Sequence, residues 1–246
     1  MAEYTFWQLG LAMTGAFFLG LGKAGIKGLS VIVVTIFAIV FGSKYSTGVI
    51  MPLLIIGDVF AVIYYHRHTQ WSFLKKLLPW MMAGVLIGVW IGKDLPEELF
   101  KKGMASIILI SILLMVWMEK QKKSIIPQQV FFGAGMGITS GITTMIGNLA
   151  GAFSDLYFLA MRLPKNEFIG TGAWLFFLIN LFKIPFQYFV WKNIHIQSLS
   201  VDLWLLPGLI AGLFCGIWMV KKLNEDHFRT LILVLTGLGA MFIFFK

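Results

Sequence analysis

Charged side chains are scarce in this sequence of 246 residues. Asp, Glu, Lys and Arg make up 13% of it, whereas 59% of the residues are hydrophobic and the mean hydropathy is +0.85. A soluble domain of this length could not cover its surface with so few polar groups. The composition therefore excludes a water-soluble globular protein and indicates a chain whose main solvent is lipid.

Cysteine is almost absent too, and so are the motifs of common enzymes. The single cysteine, Cys215, cannot form a disulfide within the chain, and no hydrolase triad, zinc-binding motif or phosphate loop occurs. His66 and His68 stand two residues apart, but beside Arg67 and Trp71 they fit an interfacial belt of aromatic and basic residues better than a metal site. We therefore expect no cofactor, no metal and no enzymatic activity.

Acidic residues number 11 against 20 basic ones, which gives a formal net charge of +9. In a chain with 15% aromatic residues and long uncharged runs, this excess fits basic cytoplasmic loops rather than a nucleic-acid surface. The first residues lack the basic stretch and the small-residue cleavage site of a secretory signal, so we expect a retained first membrane segment.

Ten apolar stretches have about the length needed to cross the hydrocarbon layer of about 30 Å. They lie at 5–22, 28–42, 47–65, 72–92 and 103–118, and then at 127–144, 148–161, 168–190, 198–220 and 229–245. Lipid offers no hydrogen bonds to the backbone, and the alternating pattern of an outer-membrane barrel is missing, so these segments should be helices. We predict an all-α integral membrane protein.

The second five segments repeat the first five. An offset of 122 pairs Gly15 with Gly137, Gly25 with Gly147, Gly48 with Gly170 and Asp58 with Asn180, and a later offset of 128 pairs Pro79 with Pro207 and Trp90 with Trp218. Such a period marks an internal duplication. We expect two transmembrane repeats of about five helices each, at 1–122 and 127–246.

The basic loop residues indicate how the chain crosses the membrane. Five crossings per half would place most of them on one face, whereas four per half would divide them almost evenly. An odd number makes the second half enter from the opposite face, which is the inverted-topology repeat of many secondary transporters. The first two segments of each half are short, and each such pair could span the membrane twice or form a re-entrant hairpin. A re-entrant hairpin removes two crossings, so the number of crossings per half stays odd. We expect both termini outside the cytoplasm.

Two glycine-rich breaks separate the short segments. The first contains Gly22, Lys23, Gly25, Lys27 and Gly28, and the second contains Thr143, Thr144, Gly147 and Asn148. A helix that starts at such a break presents free N–H groups, glycine lets a ligand approach the backbone, and lysine adds positive charge. Hydroxyl and amide groups suit the oxygen atoms of an oxyanion. We expect these residues to bind a small anion; the alternative for the two lysines is snorkelling to an interface.

Three further ionisable residues, Asp58, Asp155 and Lys183, lie inside predicted spans. A charge within the membrane costs roughly 2.5 kcal/mol or more, so each needs a partner, a cavity or a function. Asp58 could pair with Lys27 or Lys183, or carry a proton, whereas its repeat partner Asn180 has a similar shape without the charge. Asp155 is a second candidate for a proton site.

The motifs around these residues resemble those of the sulfite exporter TauE/SafE family. In the first half they are Lys23–Gly28 (KAGIKG), Met51–Asp58 (MPLLIIGD) and Tyr64–His68 (YYHRH), and in the second half Met161–Lys165 (MRLPK), Phe168–Trp174 (FIGTGAW) and Asn180–Phe186 (NLFKIPF). The resemblance covers nearly the whole chain and implies an inner-membrane carrier that exports sulfite or organosulfonates. Many members have an almost pure glycine run in the first break, where this chain has two lysines, so a particular substrate does not carry over.

We therefore predict a secondary transporter of a small sulfur-containing anion in the cytoplasmic membrane. No nucleotide-binding motif is present, so its energy should come from gradients or from a partner. A passive anion channel would use the same residues without proton coupling. From other classes, a membrane-embedded enzyme acting near His66–His68 and a structural subunit of a larger complex stay open. The expected partners are the anion and the lipid bilayer but not nucleic acid, and protons and a second copy of the chain stay open.

Overall fold

The structure is a computed structural model that describes residues 5–96, 98–100, 102–103, 106, 109–110, 113, 130–194, 196–225, 227–228, 230–232 and 234–235. The predicted segments at 103–118 and 229–245 lie largely outside these residues, as do Lys120, Lys122 and Lys123 among the basic loop residues. The other eight predicted segments fall almost entirely within the described part.

Eight α-helices lie wholly within the described residues. They are α1 (Phe6–Lys23), α2 (Ser30–Phe41), α3 (Ser43–Tyr65), α4 (Trp71–Gly92), α5 (Val130–Gly147), α6 (Gly151–Ala160), α7 (Lys165–Pro185) and α8 (Ile196–Lys222). A 3-10 turn, His66–His68, continues α3, and a π-helical turn, Phe186–Val190, continues α7. No strand occurs in the part of the chain that the structure describes, and the all-α prediction is confirmed.

Four stretches have the length and composition of membrane spans: Ser43–His68, Trp71–Gly92, Lys165–Val190 and Leu199–Lys222. A span needs about 20 mostly apolar residues, and each of these has 22 or more. Their outer surfaces expose large apolar side chains, among them Trp90 and Trp218. The chain is therefore a multi-pass membrane protein.

The short pairs α1–α2 and α5–α6 are helical hairpins. A Cβ at Gly15 of α1 would lie 2.7 Å from the ring of Phe37 in α2, and these two residues are about equally far along the chain from the first break. In the second pair, Phe132 of α5 stacks on Tyr157 of α6. Each pair therefore folds back on itself at its glycine-rich break. The 12 residues of α2 rise about 18 Å from that break to the start of α3.

Helices from opposite halves of the chain pack in two close pairs, α1 with α8 and α4 with α5. A Cβ on Gly20 of α1 would overlap the backbone of α8 next to Gly212, and a Cβ on Gly84 of α4 would overlap the backbone of α5 next to Gly141. Small residues are what allow helix backbones in a membrane protein to approach this closely. Each half therefore contributes one long helix to the packing of the other half.

The helices α3 and α7 cross in the centre of the molecule and run antiparallel. Gly48, near the start of α3, lies against Asn193 beyond the end of α7, and Gly170, near the start of α7, lies against the end of α3. Between these contacts, the Asn180 amide donates a hydrogen bond to the carboxylate of Asp58 (2.7 Å). The crossing thus joins the two residues that an offset of 122 pairs in the sequence.

Candidate functional site

The first break holds two lysines inside the protein. The backbone turns through Gly25 and Gly28, whose φ angles of 120° and 91° suit glycine and would strain other residues. The Tyr65 hydroxyl donates a hydrogen bond (2.8 Å) to the carbonyl group that follows α1, which ties the break to the end of α3. Lys23 is 9% exposed and Lys27 is 7% exposed. Both lysines are thus enclosed by protein.

Lys23 forms an ion pair with Asp58. The ammonium nitrogen lies 2.5 Å from Oδ1, and the aspartate is fully buried. Gly57 leaves the space for this contact, because a Cβ there would come 2.8 Å from Cγ of Lys23. The two partners that the sequence suggested for Asp58, Lys27 and Lys183, form no ion pair with it in the described part of the chain. Lys23 ends α1, and the packing of α1 against α3 places it directly beside the aspartate.

A chain of hydrogen bonds continues from Asp58 to the second break. Asn180 donates to Oδ2 of Asp58, and its own amide oxygen accepts from Lys183 at 3.4 Å. The same ammonium group donates to Asn148 at 2.6 Å and to the Thr144 hydroxyl at 3.1 Å. Lys183 thus brings to the second break the positive charge that the break itself lacks in the sequence. Its hydrogen-bond partners in the described part are neutral.

The second break is short and is stabilised by its own polar groups. Asn148 has a φ of 55°, a left-handed conformation that asparagine adopts more readily than most residues. The Thr143 hydroxyl lies 3.1 Å from the carbonyl oxygen of Ser140 and 3.3 Å from that of Leu149. Thr143 and Gly147 are buried in this turn. Thr143 therefore supports the backbone of the break.

One cavity lies between the two breaks. The cavity is open on one side, and its space together with the solvent at its mouth amounts to about 660 Å³. The first residues of two short helices, Ser30 of α2 and Gly151 of α6, are part of its lining. Neither helix start has a side-chain cap in the described structure. Since uncapped N-termini present free N–H groups and the positive end of the helix dipole, an anion in this cavity would meet two of them.

The cavity brings together most of the residues that the sequence analysis singled out. Its lining includes Gly22, Lys23, Lys27, Gly28, Thr144, Asn148, Asp155 and Asn180. The remaining candidates lie outside the lining. Gly25 packs against Ile169 and Val220, and Thr143 and Gly147 lie within the second break. Asp58 and Lys183 lie behind the lining. Asp58 binds Lys23 and Asn180, and Lys183 binds Asn148.

Lys27 and Asp155 line this cavity with polar atoms that have no partner among the described residues. Among the described residues, the Lys27 ammonium group has no hydrogen bond or ion pair, and it lies 5.0 Å from the centre of the Phe176 ring. Oδ1 of Asp155 is buried and has no hydrogen-bond partner in the same part of the chain. The two charges therefore lie in one cavity without closing an ion pair with each other.

The ionisable groups at the cavity leave an excess of positive charge. Lys23 and Asp58 offset each other in their ion pair. Lys27 and Asp155 line the cavity separately, and Lys183 has neutral partners. When all five groups are charged, three lysines against two aspartates leave a formal charge of +1. The site is electrostatically suited to an anion.

Sequence reasoning missed three residues of this region: Phe176, Ser30 and Gly57. Phe176 lies within 5.5 Å of both Lys23 and Lys27, but nothing in its local sequence sets it apart from the other 22 phenylalanines. Ser30 carried a usable signal, because it is the first polar residue after the glycine run and begins α2. Gly57 carried a weaker one, since it precedes an aspartate inside an apolar span.

The histidine cluster lies elsewhere, at the end of α3. His66, Arg67 and His68 are exposed, and no group of three metal-binding side chains occurs within the described ranges. Aromatic and basic side chains meet in this region, where Lys221 lies 5.8 Å from the centre of the Tyr64 ring. Such contacts are typical of the boundary between lipid and water.

The chain was compared with known proteins in three ways. A family model described as "Sulfite exporter TauE/SafE" matches residues 11–243. Searches of the curated proteins and of the solved structures found no match. The matched range includes both glycine-rich breaks and every residue that lines the cavity.

Proposed function

The chain belongs to the sulfite exporter TauE/SafE family, and we propose that it carries a small sulfur-containing anion, sulfite or an organosulfonate, across the cytoplasmic membrane through the cavity between its breaks. Membership of this family makes the chain a membrane transporter and not an enzyme. The observation that carries the proposed site is Lys27, a buried cation with no polar partner among the described residues, in a cavity that also receives two helix N-termini.

In the proposed site, Lys27 supplies the charge and the neutral groups supply hydrogen bonds. The oxygen of the Thr144 hydroxyl accepts from Lys183, so its own proton is available to an oxygen of the anion. The Asn148 amide donates one hydrogen to the carbonyl of Thr47 (3.1 Å) and has a second one to offer. Gly22 and Gly28 add no side chain to the lining and leave the backbone open to the ligand.

Two inverted repeats, 1–122 and 127–246, would explain how two similar breaks meet at one site. The glycine contacts support this, because Gly20 packs on Gly212 in one helix pair and Gly141 packs on Gly84 in the other. Gly84 and Gly212 are 128 residues apart, as in the sequence alignment, and Gly20 and Gly141 are 121 apart, one fewer than the offset of 122. The antiparallel crossing of α3 and α7 is the geometry that inversion requires.

Export and proton coupling are further parts of the proposal. The family's name supports export as the direction. A proton taken up by Asp155 would change the formal charge at the cavity from +1 to +2, which suits a divalent anion such as the sulfite dianion. Asp155 fits this role better than Asp58, because Asp58 is bound by Lys23 and Asn180 whereas Oδ1 of Asp155 lacks a partner in the described part.

A thermal-shift screen of the purified protein tests the proposed site. Sulfite, sulfate, thiosulfate, alkanesulfonates and carboxylates are added to the wild type and to Lys27→Ala. A ligand at 100 times its dissociation constant stabilises the folded state by about 2.7 kcal/mol, so at least one sulfur-containing anion should raise the melting temperature of the wild type. Lys27→Ala should lose this shift, and Lys75→Ala, exposed on α4, should keep it. A shift that survives undiminished in Lys27→Ala would rule out the site.

A further inference from the structure

We infer that Lys183 is a positioning residue of the anion site, although it does not itself line the cavity. Its ammonium group holds the side-chain oxygens of Thr144, Asn148 and Asn180, so that these side chains offer hydrogen atoms to the cavity. The inference rests on the proposed anion site and assigns within it a residue that acts on the anion through three others.

The orientation of the two amides follows from their other contacts. The amide nitrogen of Asn180 lies 2.7 Å from Oδ2 of Asp58, and an ionised carboxylate only accepts hydrogen bonds. The amide nitrogen of Asn148 lies 3.1 Å from the carbonyl oxygen of Thr47, which likewise only accepts. Each amide must therefore turn its oxygen the other way, toward Lys183, at 3.4 Å for Asn180 and 2.6 Å for Asn148.

The ammonium group of Lys183 matches the oxygens around it. It has three hydrogens and no acceptor, and its neighbours are the two amide oxygens and the hydroxyl oxygen of Thr144 at 3.1 Å. The side chain is fully buried. An apolar side chain of similar length would leave all three oxygens without this donor.

The hydrogens of the same three side chains remain for the ligand. Thr144, Asn148 and Asn180 all line the cavity. The hydroxyl turns its oxygen to Lys183 and keeps its hydrogen, and each amide nitrogen has a second hydrogen besides the one that it donates to Thr47 or Asp58. An oxyanion has acceptors on its oxygen atoms, so this wall of the cavity is complementary to it.

Loss of the lysine should change what Thr144 does. A threonine hydroxyl rotates freely, and its hydrogen settles where an acceptor needs it. Without Lys183, the oxygens of Asn148 and Asn180 would lack a donor inside the protein, which is unfavourable. The Thr144 hydroxyl would then turn its hydrogen toward them and contribute less to the binding of an anion.

The test is a double-mutant cycle on the purified full-length protein, with dissociation constants for sulfite and methanesulfonate. Lys183→Met should weaken binding by about tenfold or more, and so should Thr144→Val, which keeps the shape of the side chain and removes the hydroxyl. In the Lys183→Met background, Thr144→Val should weaken it by no more than about twofold. Thr139→Val is the matched control, because Thr139 lies on the same helix outside the lining, and it should leave the affinity unchanged in both backgrounds.

Lys183→Gln takes the place of Lys183→Met should the methionine variant fail to fold. Glutamine donates two hydrogens instead of three, so it cannot serve all three oxygens. The cost of Thr144→Val should then lie between its values in the wild type and in a chain without any donor at this position. The melting temperature of every variant is recorded, because a lysine that only stabilises the fold would change this temperature and not the cost of Thr144→Val.

Three outcomes would overturn this inference. The same fold-loss for Thr144→Val with and without Lys183 would mean that the lysine acts by its charge at a distance or on the fold alone, and the anion site would stand. Unchanged affinity in Lys183→Met would remove the positioning role and also leave the site intact. Failure of the wild type to bind either anion removes the anion site and the role of Lys183 together.

Discussion

Two of the three buried lysines at the cavity already have polar partners. Lys23 is bound by Asp58, and Lys183 is bound by Asn148 and Thr144. Lys27 has the ring of Phe176 beside it, and a ring compensates a buried ammonium group less well than a carboxylate does. Asp155 lines the same cavity but forms no ion pair with Lys27 among the described residues, and a buried charge without a direct partner is unfavourable. An anionic ligand would provide that group.

Replacement of Asp155 by asparagine should uncouple transport from the proton gradient. Asparagine has nearly the same shape but cannot take up and release the proton. In proteoliposomes, an imposed pH gradient should change the anion flux of the wild type and leave that of Asp155→Asn unchanged, while anion binding is retained. Asp94→Asn, at an exposed position, should respond like the wild type. A flux that still follows the gradient in Asp155→Asn assigns the coupling to another group, and a wild-type flux indifferent to the gradient favours a passive channel.

At the scale of single residues, the sequence predicted which charged side chains lie inside the apolar segments but not which groups they bind. Lys23, Lys27 and Asp58 could be found because ionisable residues are conspicuous in apolar runs. The pairing of Asp58 with Lys23 could not be predicted, since it depends on how α1 and α3 pack. The position of Phe176 beside two lysines could not be predicted either, because it depends on the crossing of α3 and α7.

At the scale of the helices, the two hairpins and the two close helix pairs shape the site. The sequence predicted both glycine-rich breaks, because glycine and polar residues interrupt apolar runs there. It could not decide between two short spans and a hairpin, since both have the same run lengths. The contact of Gly15 with Phe37 shows that α1 and α2 pack side by side, an arrangement that two short spans and a re-entrant hairpin share. The hairpins place the starts of α2 and α6 at one cavity, as an anion site with two helix N-termini requires.

The close contact of α4 with α5 predicts a difference between two glycine substitutions. A Cβ on Gly84 would overlap the carbonyl oxygen of Ile138, whereas a Cβ on Gly10 would meet open space. Overpacking of a close contact typically costs about 1–3 kcal/mol, so Gly84→Ala should lower the melting temperature in detergent. Gly10→Ala should leave it unchanged or raise it, because alanine favours a helix over glycine. Equal melting temperatures for the two variants would mean that α4 and α5 are farther apart than described.

At the scale of the whole molecule, two hydrophobic clusters draw helices from both halves of the chain. One consists mainly of α1, α2, α3 and α8, and the other mainly of α4, α5, α6 and α7. Helix α8 of the second half thus packs with the first half, and α4 of the first half packs with the second. The constant offsets predicted the duplication but not this packing, because an offset shows which residues correspond and not which ones are in contact. Two bodies with a cavity at their boundary are suited to expose it alternately to the two sides.

With both termini outside the cytoplasm, the loop at His68 should face the cytoplasm and the loop at Asp94 the outside, which predicts which of them can be labelled from outside the cell. The only cysteine, Cys215, is exposed, so Cys215→Ser provides the background. His68 and Asp94 lie at opposite ends of α4, and each is replaced by cysteine in turn. A membrane-impermeant maleimide should label the cysteine at position 94 in intact cells and the one at position 68 only after permeabilisation. Labelling of both from the same side, or the reverse order, would contradict the orientation.

The most direct test of the account is anion flux into proteoliposomes that contain the wild type, Lys27→Ala or Lys75→Ala. A hydrogen bond to a charged group contributes about 1.5–3 kcal/mol, and 1.4 kcal/mol corresponds to about a factor of ten in affinity. The account predicts that the wild type and Lys75→Ala carry sulfite or an alkanesulfonate at the same rate, and that at subsaturating substrate Lys27→Ala is slower by about tenfold or more. Transport by Lys27→Ala at the wild-type rate would contradict it.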